Sequence, residues 1–219
     1  MKKASQISES IELATFLAMS GGLMDAYSYL YRGEVFANAQ TGNMLLLGVY
    51  ASQGKWDIAL HYFFPVVSFA LGIALCQQIR FRKIKWIHWR QFTVFIEILL
   101  LSFVAFIPTQ YNLLANSLTS LACGIQVQAF RKLHGNGFAT TMCIGNLRSG
   151  TDNLMHYIHT KNKNYLEKST LYYFVILCFI VGAIIGNACL SHLGIHTILV
   201  SVLLLFISLM IMFVDRERE

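Results

Sequence analysis

The chain has few charged residues and few prolines. Asp, Glu, Lys and Arg make up only 13% of its 219 residues, and it contains 2 prolines. Soluble domains carry about twice that charged fraction, which argues against a soluble globular protein. The five cysteines form no CxxC pair, so neither a disulfide framework nor a zinc site is expected. Nucleophile-elbow, Walker, HExxH and dinucleotide-binding motifs are also missing, and the sequence therefore predicts no enzyme, no cofactor and no metal.

Apolar residues, in contrast, make up 56% of the chain. A helix that spans a membrane needs about 20 mostly apolar residues. Segments of this kind lie near residues 11–31, 60–79, 92–107, 112–130, 171–190 and 195–214. The sequence therefore predicts an all-α, polytopic membrane bundle of six transmembrane helices, whose main partner is the lipid bilayer.

The basic residues predict the direction of these spans. If the N-terminus is cytoplasmic, all of the 17 Lys and Arg residues except Arg32 and Lys55 fall on the cytoplasmic side. This distribution follows the positive-inside rule, and it places both termini in the cytoplasm. It also accounts for the net charge of +6 without a nucleic-acid partner.

Small residues recur every four positions on three of the predicted spans. In lipid, such stripes let helix backbones approach closely, so they predict a tightly packed bundle. The three series are Ala14-Ala18-Gly22-Ala26, Ser68-Gly72-Cys76 and Cys178-Gly182-Gly186.

The two halves of the chain, 1–110 and 111–219, resemble each other weakly. Residues 21–47 align with residues 124–150 at an offset of 103. Each half holds three predicted spans, so the second half would enter the membrane from the opposite side. This predicts two inverted three-helix repeats, an arrangement found in many transporters. The alternative is a duplication that keeps symmetric packing without transport.

In each half, a segment too long for a simple hairpin follows the first span, at residues 32–59 and 133–168. We interpret both as broken or re-entrant segments, in which an extended stretch dips into the membrane and a half-helix returns. Half-helix N-termini suit polar or anionic ligands. The residues expected to bind substrate are Asn38, Gln40, Thr41, Asn43, Thr140, Thr141, Asn146 and Arg148, with Gly42 and Gly145 permitting the turns. The alternative is a pair of surface loops carrying amphipathic helices.

Asp25 lies inside the first predicted span, where a carboxylate is costly unless it is paired, hydrated or protonated. A carboxyl group removed from water suits a proton-coupling site. The alignment makes neutral Gln128 its counterpart, so the two halves would differ at this site. The alternative is a structural aspartate, hydrogen-bonded to the turn around Ser28 or Arg32.

Two further charged residues have local explanations. Glu97 lies about two turns inside the basic end of the third span, and we expect it to snorkel or to pair with Arg90. Arg148 either adds positive charge to an anion pocket or pairs with Asp152 at i+4. Titratable groups are otherwise few and dispersed, which again argues against catalysis.

The block GGLMDAYSYL, followed by FANAQTGN, resembles the YoaK family of bacterial membrane proteins. The later blocks GIQVQAFRKL and TTMCIGN extend this resemblance over nearly the whole chain, although Ile144 stands where the family tends to have threonine. The resemblance implies a six-span, multi-pass protein of the bacterial cytoplasmic (inner) membrane. It implies no particular activity.

The combined features predict a transporter of a small polar or anionic solute, with proton coupling through Asp25 as one option. Two alternatives stay open: a channel-like facilitator that uses the same elements, and a non-transporting membrane scaffold or partner subunit. Self-association into a homo-oligomer also stays open.

Overall fold

The computed structural model describes residues 11–82, 87–133, 136–137 and 143–214. These residues are almost entirely helical, which confirms the all-α class. The helices are α1 Ile11–Tyr31, α2 Gln40–Ser52, α3 Trp56–Phe81, α4 Trp89–Val104, α5 Asn112–Ala129, α6 Cys143–Thr160, α7 Lys163–Leu193 and α8 Ile198–Val214. A short antiparallel ladder pairs β1 Lys132–Leu133 with β2 Asn136–Gly137.

Each predicted apolar segment coincides with a helix, namely α1, α3, α4, α5, α7 or α8. By length and hydropathy alone, two helical stretches among the described residues are long and apolar enough to cross a membrane: Trp56–Phe81 and Lys163–Phe213. The second comprises α7, the 3-10 turn Gly194–Thr197 and α8. Helices of this length and hydropathy are consistent with a membrane protein.

Helices α1 and α7 cross at very short range through two glycines. A Cβ atom added to Gly22 would overlap the carbonyl oxygen of Phe179, and one added to Gly182 would overlap the carbonyl oxygen of Met19. Only glycine fits at either position, because the obstructing atoms belong to the backbone of the facing helix. The predicted small-residue stripes on α1 and α7 thus meet each other.

Helices α3 and α5 cross in the same manner. A Cβ atom on Gly124 would overlap the carbonyl oxygen of Phe69, and one on Gly72 would overlap the carbonyl oxygen of Leu121. In both crossings, each glycine faces a carbonyl that lies three residues before the other glycine.

The remaining helices complete the bundle around these two crossings. Helix α8 packs against α1 and α4, and α4 also packs against α5. Helix α2 lies along α3, and α6 lies along α7. Polar side chains join several pairs: the Ser20 and Ser201 hydroxyls are 2.9 Å apart between α1 and α8. Between α4 and α8, Gln91 Nε2 donates to the carbonyl oxygen of Met212 at 2.9 Å.

Candidate functional site

The non-helical residues 32–39, which join α1 to α2, reach the interior of the bundle. Asn38 Nδ2 donates to the carbonyl oxygen of Gly21 at 3.0 Å, and Gly21 is at the midpoint of α1. Gln40 Nε2 donates to Ser120 Oγ at 3.3 Å, near the midpoint of α5. This segment therefore lies half-way along two core helices, where a surface loop would not reach.

Asn43 closes this segment on itself. Its Oδ1 accepts from the Phe36 amide at 3.0 Å, and its Nδ2 donates to the Phe36 carbonyl at 2.7 Å and to Gln40 Oε1 at 2.8 Å. The Asn43 side chain, which the sequence predicts to bind substrate, thus holds this segment together. Substrate binding by Asn43 stays a prediction. Gly42 lies in the first turn of α2 rather than at a chain reversal, so its predicted role was wrong. A Cβ there would lie 2.8 Å from the Phe36 ring, and glycine is therefore needed for packing.

Asp25 binds the backbone immediately before α2. One carboxyl oxygen accepts from the Asn38 amide at 2.7 Å, and the amides of Ala37 and Ala39 also bond to this carboxyl group. The hydroxyl of Ser28 reaches only the Asp25 main-chain oxygen, at 3.2 Å. The carboxyl group of Asp25 therefore ties α1 to the start of α2.

Gln128 lies away from this segment, on the part of α5 that faces α3. Its Nε2 donates to Gln77 Oε1 at 2.8 Å. The structure therefore does not bring Gln128 to Asp25. Proton coupling at Asp25 stays a prediction.

In the second half, the structure describes two of the residues expected to bind substrate, Asn146 and Arg148. Asn146 is buried on α6, whereas Arg148 is exposed. Two residues along an α-helix project about 200° apart, so these two side chains do not share a pocket. Arg148 borders an open surface depression together with Asp152, and Asp152 Oδ1 lies 3.9 Å from His156 Nε2.

Four other predicted positions remain, of which the structure describes two. Thr41 is exposed on α2, apart from the buried amides of Asn38 and Gln40. Gly145 lies in the first turn of α6 with open space around it, so its predicted role in a turn was also wrong. Thr140 and Thr141 lie outside the described residues.

Glu97 is a buried residue whose surroundings the sequence interpretation missed. It has 0% exposed surface, and neither carboxyl oxygen has a hydrogen-bond partner among the residues described. Arg90, its expected partner, donates Nε to the carbonyl oxygen of Ala129 at 3.1 Å. The prediction of snorkelling or pairing was therefore wrong. The spacing of Glu97 from Val94 and Leu101 is a signal that it belongs to the core face of α4.

Arg32 is the second residue that the sequence interpretation undervalued. It is fully buried, and its guanidinium donates to Tyr27 OH at 2.8 Å, to Asn112 Oδ1 at 3.1 Å and to the Val104 carbonyl at 3.1 Å. These acceptors belong to α1, α5 and α4. Arg32 therefore joins three helix ends through neutral acceptors, and it is not the partner of the Asp25 carboxyl.

Comparison with known proteins confirms the resemblance seen in the sequence. No solved structure matches the chain. The UPF0700 transmembrane protein YoaK of Bacillus subtilis (strain 168) is 26% identical over 184 residues, which cover 79% of this chain and 80% of that protein. Together with the apolar helices, this similarity identifies an integral membrane protein. A family model described as "Protein of unknown function (DUF1275)" matches residues 13–211, from α1 to α8. The chain therefore belongs to the DUF1275 family.

Proposed function

We propose that this protein is a six-span transporter of a small polar or anionic solute in the bacterial cytoplasmic membrane, with both termini in the cytoplasm. The observation that supports this most is the position of the junction between residues 32–39 and α2: Asn38 lies half-way along α1, and Gln40 lies half-way along α5. Within a bilayer, non-helical backbone is tolerated only where it is buried in protein or lines a water-filled cavity. Interrupted helices near the midplane are the elements with which many transporters bind their substrates.

The helix contacts support two inverted halves. Exchanging α1 with α5 and α3 with α7 turns the α1–α7 crossing into the α5–α3 crossing. If α2 is also exchanged with α6, and α4 with α8, the α2–α3 contact becomes the α6–α7 contact. The α1–α8 contact likewise becomes the α5–α4 contact. Three spans in each half then give the second half the opposite orientation in the membrane.

This exchange also revises the alignment of the two halves by one residue. Under this proposal, Gly22 corresponds to Gly124, because each faces a carbonyl of the crossing helix, whereas the sequence alignment gave Gly21. Under this register, Asp25 no longer has Gln128 as its counterpart.

The polar contacts around α2 also favour a second candidate, a non-transporting scaffold. The side chains of Asn43 and Asp25 form their hydrogen bonds with residues 36–40 of the protein itself. One buried polar atom of the segment differs: Asn38 Oδ1 has no hydrogen-bond partner within the described ranges, although Asn38 is only 3% exposed. Under the transporter proposal, this oxygen accepts a hydrogen bond from the solute.

A thermal-shift screen distinguishes these two candidates. The purified protein would be melted with small anions, amino acids, sugars and nucleobases at acidic and neutral pH. A ligand at a hundredfold excess over its dissociation constant stabilises the fold by about 2.7 kcal/mol. We expect one class of solute to raise the melting temperature of the wild type and of Ser52→Ala, an exposed control on α2, and to have less effect on Asn38→Ala. If no solute shifts the melt of folded protein, the scaffold is favoured.

A further inference from the structure

Glu97 belongs to the buried face of α4. Val94, Leu101 and Val104 share this face, and all four residues have 0% exposed surface. Residues three and four apart project from the same side of a helix. The carboxyl group therefore occupies a core position near the midpoint of α4, where the sequence pattern of the helix is otherwise apolar.

No cation balances this carboxyl group in the part of the chain that the structure describes. Arg90 precedes it by two turns on α4, about 10 Å along the helix axis. The Arg90 guanidinium donates to the carbonyl oxygen of Ala129 at 3.1 Å and lies 5.2 Å from the centre of a Trp89 ring. Arg80, on α3, lies 5.5 Å from the centre of the same ring. Both cations are therefore engaged at the end of the bundle.

Among the described residues, the neighbouring helices α3 and α5 bring two thiols, Cys76 and Cys123, into electrostatic range of Glu97. One of them, Cys76, is also within range of Arg80 and Arg90 at the end of the bundle. Cys123 is also within range of Asp25 on α1. Helix α8 has no titratable side chain over Ile198–Val214. Ionisation of any of these groups would repel a negative charge at Glu97.

These surroundings accommodate a carboxylic acid and not a carboxylate. An unpaired charge is far more costly in an apolar interior than the corresponding neutral acid. Loss of the proton therefore requires that water or a cation enters, or that α4 changes its packing. Proton exchange at this residue is thus coupled either to entry of water or a cation or to a change in the packing of α4.

We propose that Glu97 is an intramembrane proton-binding site. Cys123 connects this site to the segment before α2, because it lies beside the Asn38 side chain and its Sγ is 3.7 Å from Met24 Sδ. A role for the proton in driving solute movement rests on the proposed transport function. Proton binding itself does not.

Infrared difference spectroscopy of the protein in lipid vesicles tests this site, with pH change as the only probe. A carboxylic acid has a C=O stretching band that a carboxylate lacks. We expect this band in the wild type at neutral pH, with about a tenfold fall for each pH unit above its midpoint. Glu97→Gln should lose the part of the band that belongs to Glu97, and Asp25→Asn should keep that part.

A variant with a different acid keeps the test valid if Glu97→Gln does not fold. Glu97→Asp retains a titratable acid, and its band should appear at a shifted frequency. The proposal is overturned if wild type and Glu97→Gln give the same spectrum at neutral pH, or if Asp25→Asn removes the band instead. A band at Glu97 without any solute effect in the melting screen would remove transport and leave the proton site. A solute effect in the melting screen without the Glu97 band would support transport and remove the proton site.

Discussion

Gly182→Ala is expected to destabilise the protein by about 3 kcal/mol or more, measured as unfolding in detergent. The new methyl group would overlap the carbonyl oxygen of Met19, so α1 and α7 must separate along their crossing. Backbone atoms cannot move aside as a flexible side chain can. The matched control is Gly48→Ala on α2, where no heavy atom lies within 4 Å of the added Cβ. Alanine there should be neutral or stabilising by about 0.5–1 kcal/mol, because it favours the helix.

Double variants make this prediction more specific. Alanine at Gly22 or at Gly182 would obstruct the same crossing, so alanine at both should cost clearly less than the sum of the two single changes. Gly124 belongs to the other crossing, and its effect should add to that of Gly182 within about 0.5 kcal/mol. Additive costs within the first pair would contradict the crossing described here.

Arg32→Met is expected to cost about 3 kcal/mol or more of the free energy of unfolding. The change leaves the Tyr27 hydroxyl, the Asn112 side chain and the Val104 carbonyl without their shared donor. Each buried acceptor left unpaired costs about 1–3 kcal/mol. Urea titration or thermal melting in detergent measures this loss.

Two further variants separate charge from geometry at Arg32. Arg32→Lys keeps the charge but lacks the planar fork of donors, so it should recover only a minor part of the loss. Lys55→Gln removes the other basic residue of the predicted outer side, and it should have little effect because Lys55 is exposed. If Arg32→Met were as stable as Lys55→Gln, the network at the helix ends would not matter for stability.

Much of the fold follows from short-range features of the sequence. Apolar length alone gives α1 at residues 11–31 and α5 within one residue of its observed end. The small-residue stripes identify the close crossings, since Gly22, Gly72 and Gly182 all face a neighbouring backbone. The inward dip before α2 follows from the length of the segment and its polar residues. These features are local, and a single sequence contains them.

The partners of individual side chains could not be predicted in this way. Asn43 is a residue type that suits ligand binding, yet its side-chain amide bonds to the backbone of Phe36, which folds back over α2. Glu97 was predicted to snorkel because the sequence shows its spacing from Arg90. The sequence does not show which face of α4 is turned towards the core. Arg32 depends on Asn112, which is 80 residues away. Each of these contacts is fixed by tertiary packing.

Under the proposed inverted repeat, the alignment of the two halves shows the same limit. Sequence identity favoured Gly21 opposite Gly124, whereas the helix crossings favour Gly22. A shift of one residue rotates a helical position by about 100°, which is enough to exchange a packing face for a polar one. The assignment of Gln128 as the counterpart of Asp25 depended on this single residue.

The most direct test of two inverted halves is to determine which side of the membrane α2 faces and which side its proposed counterpart α6 faces. Gln53 follows α2, Asn162 follows α6, and both are exposed. Each would be replaced by cysteine in turn, with the native cysteines changed to serine, and treated in intact cells and in inverted vesicles with a membrane-impermeant maleimide. The account predicts that Gln53→Cys reacts in intact cells and Asn162→Cys reacts only in inverted vesicles. Reaction of both from the same side would contradict it.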